Sequence, residues 1–254
     1  MLGINLFGPM NTIKLEAKEL FAYLARLGYG EIEPCVSLIG AVHPAFFLPE
    51  DLKALKPYID ELGLRCVCAH VNTGSLTRNL SNLVDFAKAC GMEKIVLWAP
   101  SGLDDEGYQK KVDEYCTAAK ALKDISCELL LHNGWQDILE KRENKTAYEW
   151  VLDACKGVVG MQFDAGWCQF GKEDPKAVAL RNADKIRSVH LKDVRGTCDS
   201  MDPDLSNVGL GTGEVDILFF SRFAAEHGLP QLVDQDRSDT TMEKDLEAAV
   251  KLVG

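Results

Sequence analysis

Val158–Asp193 reads VVGMQFDAGWCQFGKEDPKAVALRNADKIRSVHLKD. Its first and last pieces, VVGMQF and IRSVHL, are apolar runs of strand length. Each gives way to chemically capable polar groups where it stops: Asp164 after the first, and His190, Lys192 and Asp193 at the end of the second. The piece between has the length of a short helix and a proline start at Pro175, where a fixed φ and a missing N–H suit the first turn. A strand–helix–strand unit of this size makes its two strands parallel neighbours, which places Asp164 and His190 at the same edge of one sheet.

The same alternation extends in both directions. Apolar strands are expected at Leu2–Phe7, Tyr29–Glu33, Leu64–His70, Lys94–Ala99, Cys127–His132 and Leu229–Val233, in addition to Val158–Phe163 and Ile186–Leu191. Helices are expected over Thr12–Leu27, Pro49–Leu62, Ser75 to Gly91, Asp105–Lys123, Thr146–Cys155, Val215–His227 and Met242–Leu252, several of them followed by a glycine stop. Eight strand–helix units without a linker or a break in composition predict one domain over 1–254, an α/β fold of the closed (β/α)8 TIM barrel type. Such a barrel has its active site at the C-terminal ends of the strands. The 20-residue stretch Val194–Gly213 has no regular pattern and is the length of a lid or binding loop.

Composition narrows the class of partner. The 39 acidic against 28 basic residues give a net charge of −11, which disfavours a nucleic acid. Nine cysteines, most in apolar surroundings, suit buried free thiols and a reducing compartment. The start MLGINLFGPM lacks the pattern of a signal peptide and no run is long enough to span a membrane, so a cytoplasmic protein is expected.

Polar groups recur where apolar strands stop: Glu33, His70, His132, Asp164, His190 with Lys192, and Asp234 with Asp236. In a barrel they approach one mouth. Imidazoles and carboxylates together form a donor set for one divalent ion, Mn²⁺ or Zn²⁺ rather than the more oxygen-demanding Mg²⁺. Asp137, just past strand five, is a further ligand or base. Trp167 and Trp135 follow Asp164 and His132 by three residues and are candidate walls for a sugar face, with Asn133 beside them. His43 follows no strand and His227 lies near a helix end, and both are expected to be structural or solvated. GLGTGEVD, Gly209–Asp216, is neither a dinucleotide fingerprint nor a Walker loop; it reads as a tight turn, and more weakly as a small-anion site.

Taken together, LLLHNGWQDI, QFDAGWCQFGKEDP, VHLKD, VGLGTGEVD and LVDQD resemble the xylose isomerase-like sugar phosphate isomerase/epimerase superfamily of TIM barrels, nearly end to end. The corresponding family blocks read HNHxxEF, DxxW with a following G-x-DP, HxKD, VGxGxxD and E-x-D. The resemblance implies one divalent ion held by Asp164, His190, Asp234 and either His132 or Asp137. It also implies proton abstraction beside a carbonyl by Asp137 or Glu33, with Lys192 or His70 orienting or polarising the oxygen. The implied activity is that of a sugar isomerase or epimerase acting on a small sugar, keto-sugar or cyclitol. A dehydratase using the same chemistry and an inactive sugar-binding barrel are the alternatives, and a homodimer is compatible with the reading. Two residues depart from the family pattern: Gly134 replaces its second His, and Asp234, shorter by one methylene, replaces its Glu.

Overall fold

A computed structural model describes residues 1–254. In chain order the strands are β1 (Leu2–Asn5), β2 (Glu31–Glu33), β3 (Cys35–Ser37), β4 (Phe46–Phe47), β5 (Arg65–Cys66), β6 (Ala69–Asn72), β7 (Lys94–Trp98) and β8 (Glu128–His132). They continue with β9 (Lys141–Arg142), β10 (Lys145–Thr146), β11 (Gly160–Asp164), β12 (Ile186–Leu191), β13 (Asp193–Val194), β14 (Asn207–Val208) and β15 (Gln231–Val233). Eleven of these form one sheet in the order β4-β3-β6-β7-β8-β11-β12-β15-β1-β2-β5, and the chain has twelve helices. The architecture is an α/β barrel-like fold of the xylose isomerase type, with all pairings of the large sheet parallel.

The expectation of eight unbroken strands is corrected between the second and third. Pro34 has no N–H to give to a ladder, so the second strand divides into β2 and β3. From Ile32↔Cys66 to Cys35↔His70 one chain advances three residues and its neighbour four, the count of a bulge. Other differences are local. The first strand stops at Asn5, and Phe7–Thr12 forms a separate short helix before Ala17–Leu27. The irregular Val194–Gly213 stretch contains the short helix Pro203–Ser206 and the small β13–β14 ladder. Just ahead of it, Asp193 accepts the N–H groups of Gly211, Gly213 and Val215 at 2.9, 2.8 and 3.0 Å, so the glycine-rich turn is filled by a carboxylate of its own chain. A Cβ at Gly213 would stand 2.3 Å from Asp193 Oδ1, which explains the glycine there.

Period-two alternation assigns the two faces of the sheet. One face packs against the helices in a large apolar core that includes Leu129, Leu131, Met161, Phe163, Val189 and Val233. The opposite face carries a small separate cluster, Val67, Cys68, Val96, Leu130 and Leu232. Two residues further along the same strands from Val96, Leu130 and Leu232 come Trp98, His132 and Asp234. The apolar cluster is therefore a floor, and polar groups stand above it.

Candidate metal centre and active site

The strand ends converge as their register requires. Asp164 lies opposite His190 across β11–β12, and Gln162 lies opposite His132 across β8–β11. His132 Nε2 is 3.1 Å from His190 Nδ1 and 3.6 Å from Asp164 Oδ2; His190 Nδ1 is 3.8 Å from Asp164 Oδ2 and 3.0 Å from Asp234 Oδ2. All four side chains are buried, and their donor atoms lie within 4.8 Å of one another. Four ligands at about 2.1 Å from a tetrahedral ion would sit about 3.4 Å apart, so these separations fit one ion of that size.

A second observation bears on the fit. Asp164 Oδ2 is buried without a hydrogen-bond partner and faces the two imidazoles. An orphaned buried carboxylate oxygen is costly, and a cation among these donors would satisfy it. Two nitrogens and two carboxylate oxygens suit Mn²⁺ or Zn²⁺ better than Mg²⁺. The shorter Asp234 still reaches the cluster, so its departure from the family glutamate does not remove it from the donor set. Asn133 fixes Asp164 from the side, exchanging bonds of 2.9 and 3.0 Å with its backbone, while Trp167 N–H donates to Asp164 Oδ1 at 2.6 Å.

The charges in this compartment are strongly coupled. Burial works against a charged His190, but Glu33 and Asp234 outweigh it and raise the ring to about 10. Burial raises Asp164 to about 8, beyond what the nearby Lys192 offsets. Asp234 is held well below the usual carboxylate range, because Lys192 and His190 overcome the effect of burial. Burial, helped by His190, keeps His132 neutral; burial likewise lowers His70, against the pull of Glu33.

A cavity of about 250 Å³ opens directly on the cluster, lined by Asn5, Phe7, Cys35, Phe46, His70, Trp98, His132, His190, Asp234 and Asp236. Besides the donors His132, His190 and Asp234, its titratable groups are His70, Asp236 and the Cys35 thiol. Trp98 is 53% exposed and sets its edge against His70 and His132, with centroids 5.4 and 4.6 Å away. A neighbouring cavity of about 360 Å³ shares Phe46, His70 and Trp98 and extends to Asn72, Thr73 and Lys111.

Several expected site residues are near the cluster yet off the cavity wall. Glu33 has no exposed surface and sits beneath His190, its oxygens engaged by four donors. Burial opposes its charge, but His190 and His70 bring it down to about 2, too weakly basic to take a proton from carbon. Asp137 caps the helix Trp135–Leu139 by accepting Gly134 N–H at 2.8 Å, and burial pushes its carboxyl well up. Lys192 is enclosed between Asp234 at 3.1 Å, Asp236 and Asn207, over the face of Trp167. Trp167 and Trp135 pack on Phe170 instead of walling the cavity. His227 bonds the Phe223 carbonyl at 2.8 Å and His43 stacks on Phe7, and neither belongs to the donor cluster.

Asn5, Gln162, Trp98 and Phe46 were not anticipated. Gln162 carried a usable signal, two residues before Asp164 on the same strand face, and Trp98 ends its strand as His132 does.

The family model described as xylose isomerase-like TIM barrel matches residues 21–234. The chain belongs to this family. Inosose dehydratase from Geobacillus kaustophilus (strain HTA426) is 28% identical over 119 residues, which are 43% of this chain and 38% of that protein. Among solved structures, a sugar phosphate isomerase/epimerase from Parabacteroides distasonis ATCC 8503 superposes with a TM-score of 0.73 at 18% identity, covering 98% of this chain and 92% of the other. The IOLI protein with a binding zinc atom gives a TM-score of 0.72 at 17% identity, over 98% and 95% of the two chains. The match spans less than two fifths of the length of the curated relative. At these identities the structural likeness speaks for the fold.

Proposed function

We propose that this chain is a metal-dependent isomerase or epimerase of a small sugar, keto-sugar or cyclitol, acting by removal of a proton beside a carbonyl through an enediolate. The observation that carries the reading is the convergence of His132, Asp164, His190 and Asp234 on one donor cluster, which opens through His132, His190 and Asp234 on one small cavity. These four would hold the ion. When bound it supplies Lewis-acid stabilisation of negative charge on substrate oxygen. His70 is the neutral base on the cavity wall and takes and returns the proton; Trp98 covers an apolar sugar face. Lys192 keeps Asp234 ionised and aimed at the cluster, and Glu33 supports His190 from below. Asn133, with Trp167 and Trp135 behind it, serves the substrate through the placement of Asp164.

We read residues 1–254 as one domain and the divided second and third strands as one wall of a closed (β/α)8 barrel. Support comes from bonds that bridge the divisions: Arg65 N–H to Gly30 O and His70 N–H to Pro34 O, both 3.0 Å. All nine cysteines are free, which supports a cytoplasmic setting, and no helix is long and apolar enough to cross a membrane.

The name of the inosose dehydratase relative favours a second reading, loss of a hydroxyl from the same enediolate. Solvent deuterium separates the two. With Mn²⁺ or Zn²⁺ added, deuterium entering a keto-sugar or keto-cyclitol without elimination supports the isomerase; an unsaturated or deoxy product supports the dehydratase. Binding of the panel with neither exchange nor elimination would leave a sugar-binding barrel and sink both.

A further inference from the structure

The polarity of the hydrogen-bond network below the cavity can be followed from a group whose role is fixed by covalent structure. Phe7 N–H donates to Asn5 Oδ1 at 2.8 Å, which turns Asn5 Nδ2 toward Glu33 Oε2, also at 2.8 Å. An amide nitrogen can only donate, so that oxygen of Glu33 accepts. The same oxygen meets His190 Nε2 at 2.6 Å, and Glu33 Oε1 meets Gln162 Nε2 at 2.7 Å and Cys68 Sγ at 3.0 Å. Four donors around two oxygens describe an ionised, acceptor-only carboxylate.

Each branch then has one solution. With its nitrogen on Glu33, Gln162 presents Oε1 to His70 Nε2 at 2.7 Å. An amide oxygen can only accept, so His70 carries its proton on Nε2 and keeps a lone pair on Nδ1. On the other side His190 donates Nε2–H to Glu33, and its Nδ1 lies among His132, Asp164 and Asp234.

We propose that Glu33 is a positioning residue that sets the proton-bearing nitrogen of two histidines at once, directly for His190 and through Gln162 for His70. One buried carboxylate thus leaves His190 Nδ1 for the ion and His70 Nδ1 as proton acceptor in the cavity. The arrangement explains why a charged glutamate is kept where it has no exposed surface: removing its charge frees Gln162 to turn over and both rings to reverse. The role given to His70 rests on the isomerase reading; the protonation pattern of the two rings does not.

The test uses the full zinc-loaded chain labelled with ¹⁵N-histidine, whose five histidines are few enough to assign by long-range ¹H–¹⁵N correlation. The expected wild-type spectrum has the proton of His70 on Nε2 and that of His190 on Nε2. Gln162→Met cuts only the His70 branch. It should mix the His70 tautomers and lower kcat about ten-fold or more with KM little changed, while zinc affinity stays within roughly two-fold. Glu33→Gln should disturb both rings and weaken zinc binding about 10- to 100-fold. A wild-type His70 protonated on Nδ1 overturns the proposal, as does a Gln162→Met spectrum identical to wild type. If Glu33→Gln does not fold, the wild-type and Gln162→Met spectra decide. The stated tautomers without deuterium exchange on any substrate would defeat the isomerase reading and leave this inference standing.

Discussion

Binding of the divalent ion should release close to two protons at neutral pH. Without an ion, Asp164, raised to about 8, and His190, raised to about 10, each hold a proton at pH 7 that a ligand atom must shed. Asp234 is already ionised and His132 already neutral, so neither contributes. Proton and ion compete for the same atoms, and affinity therefore falls as pH falls. Each released proton accounts for a ten-fold change per pH unit, about 1.4 kcal/mol, so two protons weaken binding about 100-fold, about 2.7 kcal/mol, for each unit below neutrality. Above the Asp164 value only the His190 proton remains, and the slope should halve. Calorimetric titration with Mn²⁺ in two buffers of different ionisation enthalpy counts the protons directly. An affinity independent of pH, with almost no proton released, would mean that Asp164 and His190 are not the ligand pair and would remove the basis of the proposed centre.

Asp164→Asn replaces a carboxyl that burial already keeps protonated, so the metal-free protein should unfold within about 1 kcal/mol of wild type while ion affinity drops by more than about 100-fold; denaturant titration and calorimetry read the two effects separately. Trp98→Ala should raise KM about 2- to 10-fold with little change in kcat, because the half-exposed ring offers a stacking face worth about 0.5–1.5 kcal/mol; unchanged steady-state kinetics on any turned-over sugar would remove Trp98 from the substrate wall. Far from the cavity, Glu149 accepts from Arg181 Nε at 2.7 Å, Asn182 at 2.7 Å and Thr146 Oγ1 at 3.0 Å. Burial opposes its charge, but Arg181 and Asn182 outweigh it and lower the carboxyl to about 2. A depressed native value stabilises the fold above the unfolded carboxylate range and loses that contribution as pH falls toward 2. Glu149→Gln should therefore cost about 2 kcal/mol at pH 7, after allowance for the partly exposed Arg181, and the gap to wild type in thermal unfolding should narrow by about pH 3.

Much of the site was legible because strands end abruptly and alternate strictly. His132, Asp164, His190 and Asp234 each sit at or beside the last residue of an apolar run, and parallel pairing leaves such residues little choice but to share an edge. The glycine-rich turn was ambiguous for the opposite reason. Its N–H groups point at an acceptor, and only the folded chain shows that Asp193, some twenty residues upstream, is that acceptor.

The sequence by itself determined the parallel α/β architecture and the polar groups that close its strands, since hydrophobic periodicity and turn chemistry are local and need no partner to be read. Tertiary structure alone decided which carboxylates face the cavity. Glu33 ends a strand and Asp137 follows one, yet Glu33 lies beneath His190, at a depth set by the stagger of neighbouring strands, and Asp137 caps the helix that begins just after its strand. The same stagger brought Asn5 and Gln162 to Glu33 and Trp98 to His132 from three different strands, and contacts between such strands exist only once the chain has folded.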